Sequence, residues 1–292
     1  NMETLLWNKI RVLVTDGCNY RCPFCHNEGQ AKTSKAKVIR YEDFCRIIDV
    51  LSTQNIEELN ISGGEPFLHK RLVDMIMYAD QHLDCDISCA TNLSLISPEQ
   101  IKQLSNTRVK FNIQFPYVNP ISFGRSTGNG CLDTIVNKVS QVHSAGIDIG
   151  LNTVIQTTSN KTDVEDMIDF ALQHELPLKL LPQIGGEDRC TYKEFVFPLL
   201  EKYCIEKKNK GTGAIRWRIK NGDKETTILY IDSPCFYKDI DTCKNFSEIR
   251  IHPDLVAQPC IMKDETYPID IQKDSEQIIN QLNDIWKNFT SC

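Results

Sequence analysis

Hydrophobic positions along the first 182 residues switch repeatedly between two periods. "KIRVLVTD" (9–16) is a β-rich run, "RYEDFCRIIDVLSTQ" (40–54) places apolar residues at helical spacing, and "IEELNIS" (56–62) returns to extended character. The cycle continues with helix 71–82, strand 85–91, helix 98–104 opened by Ser97-Pro98, and strand 109–115. Helix 131–144, closed by Gly146, leads to strand 147–155, helix 162–174 and strand 177–182. Right-handed repetition of such units requires a parallel sheet with helices outside, open or curled toward a barrel. The ligand site of such a sheet is expected at the carboxyl ends of its strands. The rhythm stops near "LPQIGGEDRC" (181–190), where Gly185-Gly186 mark a boundary. Two units are therefore expected, 1–185 and 186–292, the second mixing one helix, a hairpin in "IRWRIKNGDKETTILYI" and a group of cysteines.

Composition narrows what this α/β chain can be. At 292 residues, 41% hydrophobic and 25% charged, it can bury one large core or two smaller ones. No stretch reaches the roughly 18 apolar residues of a membrane span, and the N-terminal residues lack the zones of a signal peptide, so a soluble cytoplasmic protein is expected. A net charge of −6 argues against a phosphate-backbone binder, and the basic segment Lys207 to Lys220 reads as a solvated loop or hairpin. Nucleic acid is not an expected partner. Thirteen cysteines in a long chain without a secretion signal point to metal chemistry before disulfides. Six fall into two groups, Cys18/Cys22/Cys25 and Cys235/Cys243/Cys260; the others read as small buried apolar side chains.

The first group, in "DGCNYRCPFCHNE", sits just past the first strand, where a loop would hold its thiolates at the ligand-binding rim. A structural zinc ion wants four ligands, and His26, adjacent to Cys25, is poorly placed to be the fourth. A cubic iron-sulfur cluster held by three thiolates leaves one iron open to an exogenous molecule. A second signal is "NISGGEP", which places Gly63, Gly64, Glu65 and Pro66 where the second strand should end. Glycine there permits close backbone approach to a ligand, and Glu65 can accept from an ammonium group.

Through Cys18-x3-Cys22-x2-Cys25 and the Gly63-Gly64-Glu65-Pro66 turn, the sequence resembles the radical SAM superfamily. The resemblance implies a partial (β/α)6 TIM-like barrel and a 4Fe-4S cluster whose open iron chelates S-adenosylmethionine (SAM). It also implies reductive cleavage of SAM to a 5′-deoxyadenosyl radical that takes a hydrogen from substrate. By the same resemblance Phe24 borders the adenine and the Gly63–Pro66 turn meets the methionine ammonium. Asn92, Gln114, Asn152 and Lys179, at or near predicted strand ends, are further SAM contacts or ordinary polar strand-end residues. A flavodoxin or ferredoxin electron donor follows as an expected partner.

Within the superfamily, "RVLVTDGCNYRCPFCHNEG", "LNISGGEPFL", "FGRSTGNGCLDTIVNKV" and "GLNTVIQTTSNKTDVEDMIDFA" resemble the branch of the GTP cyclase that opens molybdenum-cofactor synthesis. The segment from Cys243 to Cys260 is similar to the one in which that branch binds a second cluster, the Twitch region. With Cys235 it implies a small C-terminal auxiliary-cluster domain holding a second 4Fe-4S cluster, whose open iron in the cyclase carries the substrate. Unrelated buried thiols, or a zinc knuckle completed by His252, are the alternatives. The chain departs from the cyclase pattern: seven residues separate Cys235 from Cys243, "QFP" (114–116) stands for its fourth-strand segment, and Gly150 for an expected lysine. A different substrate is therefore expected. Oxidation, cyclisation or epimerisation of a small molecule is the leading reaction class, modification of a ribosomal peptide the second. With 17 residues ahead of Cys18, no N-terminal peptide-recognition domain is expected. For an epimerisation, Cys190 is the candidate hydrogen donor. A non-catalytic metal-binding regulator is the alternative of another class.

Overall fold

The computed structural model describes residues 4–22, 35–156, 159–184, 189–211, 213–246 and 248–292, with the backbone alone for 189–191. Six strands of the barrel run β1 (Lys9–Leu13), β2 (Glu58–Ser62), β3 (Asp86–Thr91), β4 (Lys110–Gln114), β5 (Asp148–Ile155) and β6 (Leu178–Pro182). Between and after them lie α1 (Tyr41–Leu51), α2 (Leu72–His82), α3 (Pro98–Leu104), α4 (Pro120–Thr127), α5 (Leu132–Ser144) and α6 (Lys161–Gln173). Every element expected up to residue 182 is present within one to three residues. At Ser97 the capping box is complete, its hydroxyl accepting from Gln100 N at 3.2 Å while Gln100 Oε1 accepts from Ser97 N at 3.0 Å. The added helix, α4, is set by Asn119, which accepts from Ile121 N and Ser122 N, and by Pro120 at its first position.

The segment after residue 188 holds α7 (Arg189–Glu201), β7 (Cys204–Asn209), β8 (Ala214–Asn221), β9 (Lys224–Ile231) and α8 (Ile240–Phe246). It ends with β10 (Ile249–Ile251), β11 (Val256–Gln258), β12 (Tyr267–Pro268) and α9 (Ser275–Asn288). The expected hairpin is β8–β9, turning at Gly222 with φ 62°. Among the described residues, three α-helices stand where one was expected. The region does not form a sheet of its own: β9 pairs parallel with β6 and β10 parallel with β1. The strand order is β12-β11-β10-β1-β2-β3-β4-β5-β6-β9-β8-β7, so eight consecutive strands are parallel and the sheet stays open between β12 and β7. This is a partial TIM-like barrel.

The two faces of the sheet differ in chemistry. Val12, Ile61, Cys89, Phe111 and Ile149 form one row in register, each at most 5% exposed, against the helices. The inward row of Arg250, Arg11, Asn60, Ser88 and Lys110 is polar. A parallel sheet buried on both faces would be apolar throughout, so these polar positions mark the concave face as a site. The helix α9 closes the outside: its wholly buried Asn283 accepts from Leu6 N at 3.0 Å and donates to Thr4 O at 2.9 Å.

Candidate active site

The loop leaving β1 is tied where it departs and where it returns. Asp16 N donates to Lys37 O at 3.1 Å, Lys37 N donates to Asp16 Oδ1 at 2.7 Å, and Thr15 bridges Val38. The two ends of this loop, residues 15–16 and 37–38, are thus held together at the carboxyl end of β1. Cys18 and Cys22 are half-buried, whereas Phe24 and Cys25 lie outside the described residues. Tyr20 N donates to Cys18 Sγ at 3.3 Å, and Arg21 Nη1 donates to the carbonyls of Cys18 and Tyr20, each at 2.8 Å. Arg21 N in turn donates to Thr127 O at 2.7 Å, which joins the loop to the end of α4.

The Gly63–Pro66 turn locks onto this loop. Glu65 N donates to Gly17 O at 2.8 Å. A Cβ on Gly63 would meet Thr15 O at 2.7 Å, and one on Gly64 would meet the Gly17 carbonyl carbon at 2.5 Å with its oxygen closer still. The close approach expected for a ligand is therefore made first by the chain's own backbone. Glu65 also differs from expectation. It is 1% exposed, and its carboxylate accepts from Phe67 N at 3.0 Å, Asn92 N at 2.7 Å and Thr91 Oγ1 at 2.6 and 2.9 Å. The oxygens reserved in the sequence reading for an ammonium are engaged by the chain. Burial pushes the carboxyl up to about 7 despite those donors.

Asn92 extends the network. Its Nδ2 donates to Asn19 Oδ1 at 2.9 Å, and its Oδ1 accepts from Ser94 N at 2.9 Å and Ser94 Oγ at 2.6 Å. Leu93, wholly buried, sits at φ 63°, a left-handed conformation that costs a non-glycine residue roughly 1 kcal/mol. The loops after β1, β2 and β3 are consequently one hydrogen-bonded rim.

The remaining sequence-derived positions form a row beside it. Gln114 stands opposite Asn152 and Asn152 opposite Lys179, while Asn92 follows Thr91, the partner of Ile113. The side-chain nitrogen of Gln114 is buried and has no acceptor among the described residues. An orphaned donor beside this rim is the kind of group that a bound polar molecule satisfies. Burial, with Lys110 and Arg11 near it, pushes the Lys179 ammonium down against the pull of Glu58 and Glu248. Lys179 lines a cavity of about 200 Å³ with Lys110, Lys210, Arg216 and Asn112, a lining with four cations and, among the described residues, no carboxylate. Lys110 lies across Gly150, where a Cβ would be 3.7 Å from its Nζ.

One buried constellation was not read from the sequence. Glu248, whose side chain is 14% exposed, accepts from Arg11 Nε at 2.5 Å and Asn60 Nδ2 at 2.6 Å, with Arg250 Nη2 at 3.7 Å. Burial opposes its charge, but Arg11, Arg250 and Asn60 prevail and hold its carboxyl down at about 2. The available signal was Arg11, Asn60 and Ser88 at alternate positions of otherwise apolar strands.

Cys235 lies in a 3-10 turn (Pro234–Tyr237) whose Ser233 Oγ accepts from Cys235 N at 3.2 Å; Cys243 lies in α8, and Cys260 follows β11. All three are half-buried. Burial first, then Cys260, Cys243 and Cys292, push the Cys235 thiol up. Among the described residues no three cysteine, histidine or carboxylate groups stand close enough to hold one metal ion. A single tetrahedral ion needs thiolates about 3.8 Å apart, whereas a cubane spreads them because each binds a different iron. His252 has Nε2 at 2.6 Å from Gln258 Oε1, which gives the proposed zinc ligand another partner. Cys190 falls in the first turn of α7, its side chain outside the described residues.

The site is thus an open parallel barrel whose cysteine-bearing loop is locked to a glycine turn at the carboxyl rim. The Radical SAM superfamily model matches residues 12–171, and the chain belongs to that superfamily. It is accordingly an enzyme whose family uses SAM and a 4Fe-4S cluster, acting on a substrate with electrons from a reductant. Relatives include the GTP 3′,8-cyclase of Nautilia profundicola, 25% identical over 91% of this chain and 87% of that protein. The GTP 3′,8-cyclase of Clostridium botulinum is 24% identical over 95% of this chain and 88% of that protein. Among solved structures, Streptococcus suis SuiB superposes with a TM-score of 0.73 at 13% identity, over 98% of this chain and 69% of that one. The structure of anSMEcpe with bound AdoMet gives 0.65 at 12% identity, over 95% and 82%. No described helix is long and apolar enough to cross a membrane.

Proposed function

We propose that Cys18, Cys22 and Cys25 hold the 4Fe-4S cluster and that the rim of Gly63, Gly64, Glu65 and Pro66 with Phe24, Asn92, Gln114, Asn152 and Lys179 receives SAM. When bound, cluster and SAM would supply a 5′-deoxyadenosyl radical able to remove a substrate hydrogen. The chain's own part is positional. Glu65 fixes the turn so that its backbone faces the ligand, Gln114 offers its orphaned donor, and the rim excludes water that would quench a carbon radical. The observation that carries this reading is the locking of the cysteine loop onto the Gly63–Pro66 turn through Gly17.

Cys235, Cys243 and Cys260 are assigned to a second 4Fe-4S cluster, which makes 186–292 a Twitch-like auxiliary region beside the 1–185 barrel. The substrate is a small anionic molecule, supported by the cationic cavity of Lys110, Lys179, Lys210 and Arg216. Similarity to GTP 3′,8-cyclases supports related chemistry, while Gly150 and the Gln114–Pro116 segment support a substrate other than GTP. The enzyme is assigned to the cytoplasm, with a flavodoxin or ferredoxin as reductant.

Iron and sulfide per chain after anaerobic reconstitution, with 5′-deoxyadenosine formation under dithionite, test the reading. Two clusters in wild type, one in a Cys18/Cys22/Cys25 triple alanine, and SAM cleavage lost in that variant are expected. One cluster in wild type would remove the auxiliary assignment; zinc without SAM cleavage would remove the whole reading. Screening small anions against peptides in the same assay separates the two substrate classes.

A further inference from the structure

The segment after α9 is held on both sides by residues adjoining the second cysteine group. Lys244, next to Cys243, donates from Nζ to Trp286 O at 2.6 Å and to Phe289 O at 2.8 Å. Lys263 donates from Nζ to Ser291 O at 2.6 Å and lies 3.3 Å from Ser291 Oγ. Its backbone N donates to Cys260 O at 3.2 Å, and Gln258 Nε2 ties the same turn together through Cys260 O and Lys263 O. Residues 286–291 therefore bridge the Cys243 helix and the Cys260 turn, and Cys292 follows directly.

We propose that Cys292 is the fourth thiolate of the second centre, so that Cys235, Cys243, Cys260 and Cys292 bind all four irons of that cluster. The inference rests on the auxiliary-cluster reading above and sharpens it. Three thiolates leave an iron open; a fourth closes it, as a fourth ligand closes a structural zinc site. The resemblance implied an open iron that holds the substrate. With Cys292 in place, the substrate binds beside the second cluster, in contact with protein alone, and the cluster serves as an electron acceptor or donor at a distance.

The test uses the full chain in the Cys18→Ala/Cys22→Ala/Cys25→Ala background, so that only the second centre can load. After anaerobic reconstitution, iron is counted and the spin-resonance spectrum of the dithionite-reduced protein is recorded with and without cyanide, then iron is recounted after ferricyanide. The expected parent keeps about four irons per chain, with a spectrum that cyanide does not shift. Adding Cys292→Ala should open the site: cyanide shifts the spectrum and ferricyanide removes one iron of the four. The same cyanide shift and iron loss in both proteins would overturn the role of Cys292 while leaving the second cluster standing. A parent that binds no iron would overturn both. Cys292 is exposed, so its substitution threatens no core packing.

Discussion

Replacing Gly64 by alanine isolates the contact that joins the thiol loop to the glycine turn. The new Cβ would sit 2.5 Å from the Gly17 carbonyl carbon and closer still to its oxygen, and ordinary van der Waals contact starts at 3.4 Å, so the loop must withdraw by at least about 0.9 Å. Both clashing atoms are backbone, and no rotamer relieves them. A withdrawal along the Glu65 N to Gly17 O bond lengthens it from 2.8 Å to about 3.7 Å, past hydrogen-bonding range. Losing that bond costs about 1 kcal/mol and the overpacking another 1–3 kcal/mol. At about 2–3 °C per kcal/mol for a chain of this size, thermal unfolding should fall by roughly 4–12 °C, and iron loading at the first site should fall with it. Gly146→Ala is the control, because Gly146 has φ 81° but nothing within 4 Å of its Cβ position, so about 1–2 kcal/mol of backbone strain is its whole effect. If Gly64→Ala keeps full iron content and unfolds no earlier than Gly146→Ala, the interlock does not hold the loop in place.

Glu65 sets a pH dependence of definite sign. Its carboxyl is raised from 4.5 to about 7 in the fold, so the stability it confers is present below pH 4.5 and is lost as pH rises through 7, on the order of 3 kcal/mol in all. Melting temperatures of wild type minus Glu65→Gln should decline across that window, and a flat difference would refute the assignment. Gln114→Ala should weaken SAM binding to the reconstituted enzyme about 5- to 13-fold, the value of one hydrogen bond, and calorimetry reads it directly. An unchanged affinity would place the orphaned donor away from SAM. Arg11→Met strips one partner from the mostly buried Glu248, leaving Arg250 and Asn60, and should cost about 1–3 kcal/mol in denaturant unfolding, whereas a loss under about 0.5 kcal/mol would show the group solvated.

Alternating hydrophobic patterns made the six barrel units legible, since each strand and helix there keeps one apolar face against the other layer. The thiol loop and Gly63–Pro66 turn were legible because strand order brings the ends of β1 and β2 together. The role of Glu65 was not. A lone acid in a turn reads as a ligand contact until burial at 1% and three donors are seen, and two of those donors, Thr91 Oγ1 and Asn92 N, come from residues 26 and 27 positions away, the third being Phe67 N beside it. The Glu248 constellation was hidden for the same reason, because its partner Arg11 lies 237 residues earlier. The joining of β9 and β10 to opposite edges of one sheet was equally out of reach, since periodicity identifies strands without identifying their neighbours.

That last arrangement bears on how the chain can be made. Among the described residues, β1 and β6 are hydrogen-bonded on their outer sides by strands from the C-terminal region, β10 and β9. A chain emerging from the ribosome completes β6 at residue 182 but must reach residue 224 before β9 begins and residue 249 before β10 begins. During that interval two parallel strands present open backbone edges, the geometry that recruits other chains into aggregates. A fragment stopped at residue 185 keeps both edges bare permanently. It should collect in inclusion bodies, whereas the full chain, which supplies its own edge strands, stays dispersed.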